Sequence, residues 1–167
     1  NWIFFIRFWR GENQEMESKS KFAIFTIVNN MEMFNAFKKN LDSQTGVHFE
    51  LFPIMNCKGE YNSARRAFNE RAKGQDFDYY FFSHPDIRFL DSLSLAEIVE
   101  YLDDIDEFGV VGIAGAVRTS GGRKILTTIV QGKSKESVGE KIEKPEKVQT
   151  LDECLFIVKR EYFEEHP

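Results

Sequence analysis

The stretch YYFFSHPDIRF, Tyr79 to Phe89, decides how the rest of the chain is read. Four successive aromatics, Tyr79 to Phe82, follow no helical period. A short continuous apolar run closed by turn residues reads as a buried strand. This one hands over Ser83, then His84 and Asp86 with Pro85 between them, and turns apolar again at Ile87. Pro-Asp is ordinary turn chemistry. Yet ligands of an open α/β sheet bind outside the carboxyl ends of its strands, and there this strand presents an imidazole and a carboxylate.

Outward from this strand, strand and helix patterns alternate. Upstream, KFAIFTIVNN reads as a buried strand closed by Asn29 and Asn30. MEMFNAFKKNLDSQTG predicts a helix with Met31, Phe34, Phe37 and Leu41 on one face and Gly46 just past its end. VHFELFPIMN predicts a second strand, with Pro53 marking an edge or a bulge. EYNSARRAFNERAKG predicts a second helix, with Tyr61, Ala64, Phe68 and Ala72 inward and Gly74 as its stop. Downstream, SLSLAEIVEYLDDIDEFG predicts a third helix, opened by a Ser94–Glu97 capping box and striped by Leu95, Ile98, Leu102 and Ile105. GVVGIAG predicts a fourth strand, and residues 151–158 a later one leading into a helix. The alternation predicts an α/β fold, with a mostly parallel central sheet, helices on both faces and right-handed crossovers. Residues 116–149 break the pattern: they are polar, rich in Lys and Glu, with one apolar run at 125–130. They predict an inserted hairpin or loop, either a solvated excursion or a flap over substrate.

With 167 residues, the chain predicts one domain over 21–167 behind an extension at 1–20. Roughly 70% of the unfolded surface of a chain this size is buried on folding, and 17 phenylalanines supply core material. A net charge of −5 argues against a nucleic-acid partner. Cys57 and Cys154 match neither a metal spacing nor a disulfide framework, so a reducing, cytoplasmic compartment is the default. The apolar run Trp2 to Trp9, interrupted by Arg7, is shorter than the about 20 residues of a membrane span, and no cleavage site follows it. It predicts an edge-covering strand or helix. A membrane-surface foot, with Arg7 and Arg10 at the headgroups, is the alternative. The chain starts without Met, which suggests a fragment, and a truncated C-terminus is expected.

Missing motifs narrow the chemistry. No G-x-G-x-x-G follows the first strand, and there is no P-loop and no G-x-S-x-G elbow. Three His and two Cys are poor material for a zinc site. The strand ends offer, in order, Asn29 and Asn30, Asn56 and Cys57, His84 and Asp86, then Gly112 and Gly115; Asp152 and Glu153 precede the later strand. A carboxylate alone repels phosphate. A Mn²⁺ or Mg²⁺ beside Asp86 reverses the local field and takes up charge on a departing nucleoside diphosphate. Plainer readings stand beside these: asparagines that end strands, Arg66 as a solvated helix residue, Asp152 and Glu153 as loop charges, and glycines that allow close packing.

The segments FAIFTIVNN, YNSARRAFNERAKGQDFDYYFFSHPDIRF, GVVGIAGA and TLDECLFIVKREYF resemble, in that order, those of bacterial GT-A-type glycosyltransferases related to family 2. The branch it looks most like carries an H-x-D metal motif at the end of an aromatic strand. The resemblance covers residues 21–163 and implies a Rossmann-like three-layer fold, a nucleotide-sugar donor, a divalent metal and a glycan or lipid-linked hydroxyl acceptor. It implies a cytoplasmic enzyme, with the inner face of the membrane as an alternative site of action. By position, Asn29 and Asn30 would meet the nucleotide, and Asn56 stands where many relatives carry a base-reading Asp. Ser63 and Arg66 would border the nucleotide. His84 and Asp86 stand at the two acidic positions of the D-x-D motif. Asp152 and Glu153 would lie on the acceptor side of the metal, as the catalytic candidates. Two departures matter. His84 brings an imidazole without charge, which holds a divalent ion less strongly. The acidic pair that supplies the general base in inverting relatives lies beyond EEHP, where this chain stops. A non-catalytic nucleotide- or glycan-binding domain is therefore the second expectation, and a Rossmann-like regulator the third.

Overall fold

A computed structural model describes residues 4–6, 20–105 and 107–166. Apart from residues 4–6, the N-terminal run and the foot reading attached to it lie outside the described residues. In chain order the elements are β1 (Phe4–Ile6), β2 (Phe22–Val28), α1 (Met31–Leu41), β3 (Phe49–Met55), α2 (Ala64–Ala72), β4 (Tyr79–Ser83), β5 (Ile87–Phe89) and α3 (Ser94–Asp104). There follow β6 (Val110–Gly112), β7 (Ala114–Thr119), β8 (Gly122–Thr127), β9 (Ile129–Gln131), β10 (Glu136–Ser137), β11 (Glu140–Lys141), β12 (Thr150–Leu151), β13 (Leu155–Lys159) and α4 (Arg160–Glu165).

The central sheet has five strands in the order β3-β2-β4-β13-β6. Strand β2 pairs in parallel with β3 and β4. Strand β13, the last added by the chain, runs antiparallel to both β4 and β6. Period-two alternation sorts the side chains of these strands onto two faces. Phe22, Ile24, Tyr79, Phe81, Leu155 and Ile157 share one core with apolar residues of α1 and α3. Ala23, Phe25, Tyr80, Phe82 and Val158 share the other with residues of α2 and with Phe163 of α4. This double burial is why the aromatic run carries no polar position before Ser83. Ring pairs tie the strands across the sheet: Phe22 on Phe81 at 4.6 Å and Phe25 on Phe82 at 5.4 Å. Each such pair adds about 0.5–1.5 kcal/mol beyond the area it buries. Pro53 sits in β3, at the sheet edge, where a missing N–H leaves no central ladder bond unmade.

Helix boundaries differ from expectation in two places. Helix α2 starts at Ala64 with Ser63 as its cap, so Tyr61 belongs to the preceding loop and Ala64 is exposed rather than inward. Ser94 does not cap α3. It is buried in the first turn, behind Leu93, which makes no side-chain cap. Asp91 Oδ1 takes the Leu93 N–H at 3.0 Å, and Gln44 Oε1, brought from beyond α1, takes the Leu95 N–H at 3.1 Å. A side-chain carboxamide from a distant part of the chain thus replaces the local capping box. The inward stripe is otherwise shorter than predicted: Met31 is exposed, and Ile105 lies past the end of α3.

The GVVGIAG stretch is two strands. Strand β6 belongs to the central sheet, Ile113 is buried at the crossing, and β7 starts a second sheet in the order β11-β8-β7-β12. The predicted insertion is therefore a paired hairpin, β7–β8. Gly115 is required where β12 closes on β7: a Cβ there would lie 2.7 Å from Thr150 O and 2.8 Å from Val148 Cγ2. A third sheet, β10-β9-β1-β5, joins the N-terminal strand to the segment after His84. Among the described residues no helix is long and apolar enough to cross a membrane.

Candidate functional site

The carboxyl ends of β2, β3 and β4 and the starts of α1 and α2 open on one cleft of about 510 Å³. Asn30, two residues past the end of β2, is extended, and its Oδ1 accepts the Met33 N–H at 2.9 Å, which starts α1. Asn56 ties two strand ends together. Its N–H donates to Val28 O at 2.9 Å, and its Oδ1 accepts the Tyr61 N–H at 2.7 Å. That second bond folds the following loop back over the cleft. Ser63 Oγ accepts the Arg66 N–H at 3.3 Å and starts α2. Two helix N-termini, with their unpaired N–H groups and partial positive charge, therefore face the same space.

At the end of β4 the pairing with β13 runs one residue further, through His84 N–H to Cys154 O at 2.9 Å. The imidazole of His84 is exposed at the cleft, and Pro85 and Asp86 line it too. Arg88 braces the turn from behind by donating to the carbonyls of Pro85 and Ile87. Burial holds its guanidinium below its ordinary range, against the opposing pull of the Asp86 charge. Asp86 Oδ1 is shut off from solvent and has no hydrogen-bond partner among the described residues. A buried carboxylate oxygen left without a partner is costly.

The cleft brings together Asn29, Asn30, Asn56, Ser63, His84 and Asp86. Arg66 stays outside it: on the exposed side of α2 its Nε pairs with Glu70 Oε1 at 2.7 Å. That contact raises the Arg66 pKa and lowers that of Glu70. Asp152 is occupied locally, its Oδ1 accepting the Cys154 N–H at 2.9 Å. Burial and the neighbouring Asp152 push the Cys154 thiol up. Glu153 is exposed and lines a second cleft, of about 370 Å³, that shares Ala64, Phe68 and His84 with the first. Tyr61, Asn62 and Met33 line the first cleft without having been singled out for it. The signal for two of them was Ser63: read as the cap of α2, it puts Tyr61 and Asn62 in the loop ahead.

Among the described residues no group of three or more His, Cys, Asp and Glu side chains could hold a metal ion. His84 and Asp86 are two donors on one cleft, one of them with an oxygen in want of a partner. Hard cations such as Mg²⁺ are commonly bound by one or two carboxylates and complete their shell with water and substrate phosphate. The pair fits an ion that arrives with a diphosphate, and does not fit one bound by protein alone.

Comparison with curated proteins finds no match. A family model described as "Glycosyltransferase like family" matches residues 23–164. The match takes in every residue that lines the first cleft. The chain therefore belongs to this glycosyltransferase-like family, related to glycosyltransferase family 2.

Proposed function

We propose that this chain is a GT-A-type transferase that moves a sugar from a nucleoside-diphosphate donor to a hydroxyl of a glycan or lipid-linked acceptor. The observation that carries the reading is the unpartnered Asp86 carboxylate in a cleft onto which two helix N-termini open. Helix starts recruit anions. A lone carboxylate among them would repel the same anion, unless a cation stands between the two. Asp86 and His84 are the residues that would hold Mn²⁺ or Mg²⁺, which would supply Lewis-acid neutralisation of the leaving group.

The chain's own residues do the rest. The first-turn N–H groups of α1 and α2 take diphosphate oxygens, while Asn29, Asn56 and Ser63 orient the nucleoside. In the transfer step the acceptor oxygen bonds to the anomeric carbon. The bond from that carbon to the diphosphate breaks, and its electron pair leaves on the phosphate oxygen. The acceptor proton goes to a carboxylate, for which we assign Glu153, on the adjoining cleft at the His84 wall. Asp152, engaged with Cys154, positions that loop. Two free cysteines suit a reducing cytoplasmic compartment.

Thermal shift with UDP and with GDP, each with and without Mn²⁺, tests the reading. A ligand at a hundred times its Kd stabilises by about 2.7 kcal/mol. A shift that needs both nucleotide and Mn²⁺, and that Asp86→Asn removes, supports it. No shift with any nucleotide would overturn it. A shift without sugar turnover in the full-length protein would leave a binding domain.

A further inference from the structure

The hairpin β7–β8 carries a charge pattern that the transfer reaction does not use. Residues 116–149 hold eight Lys and Arg against four Glu, in a chain whose net charge is −5. The body is thus strongly acidic and the insertion basic. The register puts Arg118 directly opposite Arg123, and Ala116 opposite Ile125. Cross-strand partners project on the same side, as do residues two apart in one strand. Arg118, Arg123 and Ile125 therefore share one face. All three are exposed, Ile125 at 44%, which puts it among the exposed large apolar side chains. Like charges directly opposite each other destabilise a hairpin, and among the described residues neither guanidinium has an ion-pair partner. On the other face Lys124 does have one, Glu140 at 2.8 Å. The hairpin neutralises one face and leaves the other cationic around an aliphatic side chain.

We infer that this face docks on an anionic membrane surface. None of its three residues lines either cleft, so donor phosphate is not its counterion. A nucleic-acid backbone would meet the two arginines but offer no apolar partner for Ile125. An aliphatic residue between two arginines suits the headgroup boundary, where the cations meet anionic lipid and the side chain enters the acyl region. The inference is independent of the donor site.

Vesicle co-sedimentation tests it with phosphatidylcholine alone and with a 3:1 mixture of phosphatidylcholine and phosphatidylglycerol. The protein should bind only the anionic vesicles and release in high salt. Arg118→Glu with Arg123→Glu should weaken binding by about tenfold or more, on the scale of one juxtamembrane cation after another. Lys39→Glu with Lys73→Glu changes net charge equally, on exposed positions away from the hairpin, and should leave binding nearly intact. Ile125→Ser should weaken binding with no change in charge. Circular dichroism confirms that each variant is folded. Parental binding by the double arginine variant overturns the inference, and so does equal loss in the lysine control. Reduced nucleotide affinity in the arginine variant, without loss of vesicle binding, overturns it in favour of a flap over the donor.

Discussion

The two ends of the central strands are built on opposite rules. At the amino ends the polar groups are tied to one another. The Lys21 N–H donates to Asp78 Oδ2 at 2.8 Å, and the hydroxyl of Tyr79 donates to Asp103 Oδ1 at 2.7 Å, which also receives Ser20 Oγ. Arg160 closes the same pole, through its N–H to Asp78 O and its side chain to Asp76. At the carboxyl ends, Asn29 and His84 are exposed and Asp86 keeps a buried oxygen without a partner. Both poles rest on the same two aromatic cores. The difference is therefore local: the amino pole satisfies its polar groups internally, while the carboxyl pole leaves a buried carboxylate oxygen unmatched, as the proposed ligand site requires.

The sharpest way to break that contrast is Asp86→Ala. Transfer activity should fall about a thousandfold, or about 4 kcal/mol in the barrier, as for other lost electrostatic stabilisers. Folding stability should hold or rise, because the substitution removes an unpartnered buried oxygen. Steady-state kinetics with denaturant unfolding reads both quantities. A large loss of stability with unchanged activity would reverse the assignment of the two poles.

Tyr79→Phe makes the opposite test. It removes a hydrogen bond to a charged partner at the closed pole and should cost about 1–2 kcal/mol of stability, with the Kd for nucleotide unchanged. It also has a pH signature. Burial, then Asp103, holds the Tyr79 phenol above its ordinary range, and burial does the same for Tyr80 and the Cys154 thiol. Each group keeps its proton in the folded state at a pH where the unfolded chain has lost it. The unfolded state then binds fewer protons, so stability falls as pH rises. The decline should begin near pH 9, where an unfolded thiol ionises, and steepen above about pH 10 as the tyrosines follow. Thermal unfolding from pH 7 to 11 measures it, and the Tyr79→Phe variant should lose less above pH 10 than its parent.

Asn30→Ala probes a place in the open pole where one side chain serves both stability and the cleft. Loss of the cap to Met33 should cost about 1 kcal/mol of stability. It also frays the first turn of α1, so nucleotide affinity should drop severalfold in the same variant. Asn30→Asp keeps the cap but sets a second anion beside Asp86. It should restore stability while leaving the affinity low. Recovery of both would show that Asn30 is a cap and nothing more.

Much of this arrangement was legible in the residues, and the failures have physical causes. Strands 22–28 and 79–83 were readable because both faces are buried, which leaves an unbroken apolar run. Pro53 gave away the sheet edge. The strand-end rule then led to Asn29, Asn56, His84 and Asp86 before any geometry was known. The start of α3 was misread because the partner of the Leu95 N–H is Gln44, about fifty positions earlier, and local pattern cannot see it. The GVVGIAG stretch looked like one strand because Ile113 is apolar and buried, although the chain changes sheets there. The antiparallel course of β13 was equally invisible, since a strand buried on both faces has the same composition in either direction.

Arg66 carries the smallest expected effect, and its smallness is informative. The family resemblance put it beside the nucleotide, but its guanidinium is turned along the exposed side of the helix to Glu70. Exposed pairs of this kind contribute little to folding, so Arg66→Ala should leave the unfolding transition where it is. It should leave nucleotide affinity unchanged as well, because the proposed diphosphate site uses main-chain N–H groups at the helix start rather than this side chain. Ser63→Ala, three residues earlier, should weaken both. If Arg66→Ala instead lowers affinity tenfold at constant stability, the guanidinium leaves Glu70 for the diphosphate when ligand binds. The open pole would then extend one helical turn further along α2 than Ser63.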